Sequence, residues 1–151
     1  MKRRLVAILA IALLLSACRA EEGIIIHNAW MRPVAEGGNG AVYFVLSNHS
    51  VATDELVGAS SSIAEAVEIH ESSMVEGTGV MQMNRVFSIP LNRGAKVVFE
   101  PGGYHVMLVN VSKALAIGEA VEVTLQFKNQ ADLPVIVSVA EFAPTGDDHS
   151  H

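Results

Sequence analysis

The residues of this sequence that could do chemistry are histidines and methionines placed two apart. His105 and Met107 are separated by a single valine. Met81 and Met83 are separated by a single glutamine in the same way. Residues two apart on a β-strand project from the same face, so each pair could supply two donor atoms to one site. His70 ends an apolar run just before the loop that leads to Met81, which makes it a fifth candidate ligand.

The donor atoms of these pairs favour copper(I). Thioether sulfur is soft and uncharged, so it binds Cu(I) well and binds Zn(II), Mg(II) or Ca(II) poorly. Imidazole nitrogen adds a stronger donor, and neutral ligands leave only the charge of the ion itself at the site. Such a site can release its ion by stepwise ligand exchange, which suits the carriage of copper better than catalysis.

Each of these residues, taken singly, also has a structural explanation. Methionine commonly fills gaps in a core, and a single histidine on a strand commonly packs or faces solvent. On that alternative the chain is an exported ligand-binding or adhesion-type β-sandwich. An enzyme is the third alternative, but the chain contains neither a G-x-S-x-G nor an H-E-x-x-H motif. We therefore predict that the protein is not an enzyme.

The elements that must position these residues are strands. Between residues 121 and 127, apolar and polar side chains alternate, which is typical of a strand with one buried face. Similar runs, separated by turn-forming residues, cover 24–30, 41–47, 66–70, 80–87, 95–99, 105–111 and 134–142. About eight strands predict an all-β fold, an antiparallel sandwich or Greek-key barrel. Helical periodicity is limited to a single turn around Ser60–Ala66.

The N-terminus is typical of an export signal. Basic residues at 2–4 precede an apolar stretch at 5–15 that is too short for an ordinary transmembrane helix. The stretch ends in Leu15-Ser16-Ala17-Cys18, which resembles a bacterial lipobox, where cleavage exposes a cysteine that carries lipid. An ordinary signal peptide with an incidental cysteine is the alternative.

Four regions are predicted along the chain. A lipoprotein signal peptide covers 1–17 and a tether lipidated at Cys18 covers 18–23, which places the protein on the periplasmic side of a membrane. The copper-binding β-sandwich covers 24–143, and a mobile histidine-containing tail covers 144–151.

Cysteine content and charge exclude several classes of protein. Cys18 is the only cysteine, so the domain can contain no disulfide, thiolate zinc site or iron–sulfur cluster. Removal of the three basic residues of the leader leaves seven against sixteen acidic residues, a net charge near −9. An acidic surface argues against nucleic acid as a partner.

The combined motif resembles the PCu(A)C-type periplasmic copper chaperones. In that family a His is followed by a Met somewhat over ten residues later, and then, after 21 further residues, by His-x-Met. Here 21 residues separate Met83 from His105-Val106-Met107. The segments Ala29–Pro33 and Glu100–Leu108 also match, and the resemblance runs from about residue 24 to residue 142.

The resemblance implies a set of four copper(I) ligands, namely His70, Met83, His105 and Met107. The family usually has ten residues between the first His and the Met, whereas His70 and Met83 enclose twelve. A count of ten selects Met81 instead. We prefer Met83 because the 21-residue gap to His105 crosses two strands and should set the register. Met81 remains the alternative and a possible auxiliary ligand, and Met74, on the loop after His70, is a weaker candidate.

The resemblance also implies the fold and the role. It implies a cupredoxin-like β-sandwich that delivers copper to the dinuclear centre of cytochrome c oxidase subunit II, with a thioredoxin-like assembly factor as a further partner. Family members often carry a C-terminal extension that takes a second copper as Cu(II). Here His149 and His151 are what remains of such a tail, a weak Cu(II) site or simply a disordered end.

Two further expectations concern the edge of the site. Gly102 and Gly103 should form a tight turn that aims His105, because glycine tolerates positive φ. Tyr104 should shield the metal.

Overall fold

The computed structural model describes residues 23–144. The predicted signal peptide, Cys18 and the tail from 145 to His151 lie outside the described residues. Over residues 23–144 the chain forms strands and no helix, and hence no helix that could cross a membrane. The strands are β1 (Ile24–Met31), β2 (Gly40–Asn48), β3 (Asp54–Ser60), β4 (Ala64–Met74), β5 (Met81–Arg85), β6 (Ile89–Leu91), β7 (Lys96–Phe99), β8 (Tyr104–Val111), β9 (Ala120–Phe127) and β10 (Leu133–Val139).

These strands form one hydrogen-bonded sheet that folds back on itself. Its order is β5-β4-β8-β7-β2-β1-β10-β9-β3-β6, with a further pairing between β8 and β2. β3 and β4 lie far apart in that order, yet they contact each other and are joined by only three residues, 61–63. The two halves of the sheet therefore face each other across one core, as in a sandwich. The β1–β10 and β7–β8 pairings are parallel, and the rest are antiparallel.

The core is built by the alternation that the sequence shows. Val121, Val123 and Leu125 of β9 are buried while their polar neighbours are not, which confirms the prediction for this strand. Phe44 of β2 stacks on Phe99 of β7 with ring centroids 4.2 Å apart. Burial of each such large apolar side chain favours folding by about 1.5–3 kcal/mol.

The structure has ten strands where the sequence predicted about eight, and β3 was missed because a bulge hides its pattern. Its pairing with β9 shifts register between Leu56 and Gly58, so the buried residues are Leu56 and Ala59, three positions apart. The helical turn predicted around Ser60–Ala66 is wrong, because β3 ends at Ser60, β4 begins at Ala64, and the residues between them form no helix.

The run predicted at 80–87 is shorter than expected and is followed by a separate strand. β5 covers only Met81–Arg85, and β6 begins at Ile89. β6 contains Pro90, a residue that lacks an N–H and is tolerated in sheets mainly at an edge. β6 is indeed an edge strand, and β5 forms the opposite edge.

Candidate metal centre

His70 and His105 lie side by side on the outer face of the sheet. They are direct partners in the pairing of β4 with β8, and their rings meet edge to face with centroids 5.7 Å apart. His105 is 4% exposed, and the side chain of His70 is 16% exposed. Ile69 and Val106 are buried in the core instead, because side chains alternate along a strand. The fold thus brings together two predicted ligands that are far apart in the sequence.

A tight turn before β8 sets the orientation of His105. The Gly103 N–H donates to the Glu100 carbonyl at 3.0 Å, and Gly102 has a φ of 87°, as in a type II turn. The Gly103 carbonyl accepts from His105 Nδ1 at 3.1 Å and from the Ser72 N–H at 3.0 Å. Because a carbonyl only accepts, Nδ1 carries the proton and Nε2 keeps a lone pair for a metal ion. The predicted turn is confirmed.

The second histidine is held through its other nitrogen. His70 Nε2 lies 2.9 Å from one carboxylate oxygen of Glu68, and Arg85 lies 2.8 Å from the other. In a neutral imidazole the nitrogen that faces a carboxylate oxygen is the donor, so Nε2 donates to Glu68 and Nδ1 keeps the lone pair. That Nδ1 atom is buried and has no hydrogen-bond partner among residues 23–144. A buried polar atom without a partner carries a free-energy cost, which a bound metal ion would remove.

The predicted methionine ligands share the face of the two histidines. Met107 follows His105 by two residues on β8 and is partly buried. Met83 lies on β5 opposite Ser72, the neighbour of His70 on that face of β4, and is 51% exposed. Serine is small, so it leaves room for the Met83 side chain to cross toward the imidazoles.

Met81 lies further from the histidines than Met83 does. It pairs with Met74 near the loop of the β4–β5 hairpin, whereas Met83 pairs with Ser72, two residues closer to His70. Met74 was expected on a loop, but it is the last residue of β4. Along the hairpin, therefore, Met83 is the methionine of β5 nearest to His70.

The aromatic residue beside the site is Tyr43 and not Tyr104. The ring centroid of Tyr43 lies 6.4 Å from that of His105 and 5.1 Å from that of Trp30. Tyr104 packs against Phe99 and the core, on the opposite face of β8. The expectation that Tyr104 shields the site is wrong, because Tyr104 directly precedes His105 and neighbouring side chains on a strand point to opposite faces.

Sequence reasoning also missed Glu68 and Arg85, which hold His70. Glu68 precedes His70 by two residues, the same spacing that singled out the His-x-Met pair, so the period of two was the available signal. Arg85 follows Met83 by two residues, but its pairing opposite His70 depends on the hairpin register and could not be read from spacing.

The electrostatics of the site favour neutral ligands. Burial lowers the pKa of His105 below its ordinary value of 6.5 and the nearby His70 lowers it further, against the opposing effect of the hydrogen bond to Gly103. The imidazole therefore stays unprotonated at neutral pH and keeps its lone pair. Imidazole nitrogen and thioether sulfur are neutral donors when they bind a metal ion, and a set of such donors is the kind that Cu(I) prefers.

Comparisons with known proteins show which family the chain belongs to. The model of the LpqE-like family, described as lipoproteins, matches residues 24–139. The chain belongs to the LpqE-like family. This is the PCuAC family, so the resemblance seen in the sequence is confirmed. A relative of this LpqE-like protein in Leifsonia xyli subsp. xyli, described as a lipoprotein, is 31% identical over 129 residues, 85% of this chain and 76% of the relative.

Solved PCuAC structures share the fold. The copper-bound PCuAC domain from PmoF2 is 29% identical, with a TM-score of 0.65 over 83% of this chain and 97% of that domain. The Cu(I) form of DR1885 from Deinococcus radiodurans is 26% identical, with a TM-score of 0.59 over 85% of each chain. The predicted cupredoxin-like class is thereby confirmed for this LpqE-like protein.

Proposed function

We propose that this protein is an extracytoplasmic copper(I) chaperone and not an enzyme. Copper is its cargo, held by His70, Met83, His105 and Met107. The observation that carries the proposal is the buried Nδ1 of His70, which has no hydrogen-bond partner in the described part of the chain. It lies beside His105, on a face that also bears thioethers. The copper-bound form of PmoF2 and the Cu(I) form of DR1885 support copper as the ion.

Each imidazole would bind through the nitrogen that its hydrogen bonds leave free. For His105 this is Nε2, because Nδ1 donates to Gly103. For His70 it is Nδ1, because Nε2 donates to Glu68. Met107 would add sulfur from the partly buried side, and the exposed Met83 would close over the ion. A ligand that is half exposed to solvent, as Met83 is, suits an ion that must be transferred to another protein.

The location and the acceptor complete the proposal. The lipobox-like sequence ending at Cys18, together with membership of a family described as lipoproteins, supports a lipid anchor on the periplasmic side of a membrane. The family resemblance supports delivery to the dinuclear copper centre of cytochrome c oxidase subunit II, with a thioredoxin-like factor as a further partner. In the same way, the histidines of the tail (His149 and His151) are proposed as a weak second site for Cu(II).

Competition for Cu(I) tests the ligand set. The full-length protein is given one equivalent of Cu(I) against a competing chelator, and the double variant His105→Ala/Met107→Leu is expected to lose the competition. His27→Ala, at an exposed histidine on β1, is the matched control and should compete like the wild type. If the double variant holds copper as firmly as the wild type, the chaperone proposal fails.

Two single variants decide between the methionines of β5. Met83→Leu should weaken Cu(I) binding at one equivalent, whereas Met81→Leu should leave it unchanged, because Met83 is the nearer to His70. X-ray absorption of the one-equivalent complex should show both nitrogen and sulfur neighbours. Absence of sulfur scattering, or the reverse order of the two variants, would contradict the assignment.

A further inference from the structure

The β4–β5 hairpin exposes three methionines that the core does not use. Met74 is 66% exposed, and Met81 and Met83 are each 51% exposed. A methionine that fills a core gap is buried, as Met31 is at 0%. Exposed thioethers gain nothing from packing, so their concentration on one hairpin points to the chemistry of the sulfur atoms.

Met74 and Met81 are placed to act as a pair. They are direct partners in the antiparallel pairing, and the adjacent Val75 N–H donates to the Val80 carbonyl at 2.8 Å. Hydrogen-bonded and non-hydrogen-bonded pairs alternate along such a ladder, so Met74 and Met81 form the second kind, in which side chains come closest. Their Cβ atoms are then about 4.5–5.5 Å apart, and two flexible side chains at that spacing can bring both sulfur atoms to one ion.

The loop that joins the two strands holds this register. Thr78 donates to the Val75 carbonyl from its backbone N–H at 3.2 Å and from its hydroxyl at 3.0 Å. The Val80 N–H in turn donates to the Thr78 hydroxyl oxygen at 3.2 Å. Gly77 and Gly79 have φ values of 78° and 70°, which glycine adopts readily. The pairing of Met74 with Met81 is thus fixed by the hairpin itself.

The pair of Met74 and Met81 lies on the same face of the sheet as the two histidines. Along one face of the hairpin, the pair of Met81 and Met74 is followed by Met83, and then by His70, the direct partner of His105 on β8. Methionine sulfurs are therefore present from the exposed end of the hairpin up to the imidazoles of His70 and His105.

We propose that Met74 and Met81 form a second, outer site for Cu(I). Through this site the ion reaches and leaves the inner site by way of Met83. Each step exchanges one neutral thioether for the next donor, so the ion remains Cu(I) and no electron or proton is transferred. The passage to the inner site rests on the proposed chaperone function, whereas binding at the pair does not.

Methyl NMR of the full-length protein, labelled with ¹³C at its methionine methyl groups, tests the outer site. Ag(I) is the probe, because it shares the charge and softness of Cu(I) and is stable in air. The first equivalent should shift the signals of Met83 and Met107, and the second those of Met74 and Met81. Met31, buried in the core, is the internal control and should not respond.

Two double variants separate the sites. Met74→Leu/Met81→Leu should lose the second equivalent and keep the first, and the control Val57→Leu, at an exposed strand position elsewhere, should keep both. His105→Ala/Met107→Leu should still bind Ag(I) at the outer pair.

The outcomes distinguish this proposal from the proposed function. If the signals of Met74 and Met81 do not move at two equivalents, or if the Met74→Leu/Met81→Leu variant keeps the second equivalent, the outer site is overturned. If those signals move while Met107 does not respond, the outer site stands and the inner site fails.

Discussion

At the scale of single residues, the site depends on which nitrogen of each histidine is left free. The Gly103 carbonyl occupies Nδ1 of His105, and the Glu68 carboxylate occupies Nε2 of His70. Opposite nitrogens of two adjacent rings are therefore available to one ion. The sequence was enough to predict both histidines as ligands, from their spacing to methionines and from family resemblance. It could not assign the nitrogens, because these depend on a turn and on an ion pair formed by folding.

The depressed pKa of His105 predicts how the stability of the metal-free protein depends on pH. The unfolded chain binds this proton near pH 6.5, whereas the folded protein binds it only at a lower pH, because burial disfavours the charged ring. Between the two values the unfolded state holds more protons. The contribution of His105 to the free energy of unfolding is therefore complete above about pH 6.5. It falls as the pH drops to the lowered pKa of the folded state, and below that pKa it no longer changes.

Urea unfolding at a series of pH values measures this effect. The wild type should lose stability relative to His105→Gln as the pH falls below about 6.5, because the variant has no ring to protonate. His49→Gln, at an exposed histidine outside the site, serves as the control and should follow the wild type. Parallel curves for wild type and His105→Gln would rule out a contribution from this ring.

At the scale of elements, one turn and one bulged strand show what can and cannot be predicted from local sequence. Pro101 and Gly102 predict the turn before β8, because proline and glycine each favour one of the two central positions of such a turn. β3 gave no such signal, because its bulge between Leu56 and Gly58 breaks the alternation on which strand prediction relies. Where pairing with a neighbouring strand sets the pattern of buried residues, as in β3, local sequence does not predict the strand.

Gly102→Ala tests whether this turn positions His105. Gly102 has a φ of 87°, and a Cβ there would meet no atom within 4 Å, so the cost is conformational, about 1–2 kcal/mol. Gly118→Ala is a matched control, with a φ of 91° and equally open space. Both should lower the urea midpoint by similar amounts, but only Gly102→Ala should weaken binding of the first equivalent of Cu(I). Equal effects on binding would show that the turn does not position His105.

At the scale of the whole molecule, the proposed inner site joins residues of three separate strands. His70 lies on β4, Met83 on β5, and His105 with Met107 on β8. The ion would therefore bind the folded protein and not the unfolded chain. Alternation predicted the strands of this site, while their order in the sheet came from tertiary pairing that a single sequence does not specify.

Copper(I) should consequently raise the unfolding temperature of the whole protein. At a free ion concentration 100 times the dissociation constant, binding to the native state alone adds about 2.7 kcal/mol. The variant His105→Ala/Met107→Leu lacks two of the four proposed ligands of the inner site, so it should bind the ion more weakly and gain less stability from it. That variant should show a much smaller rise in calorimetry with buffered Cu(I). An equal rise in both proteins would mean that copper does not hold β4, β5 and β8 together.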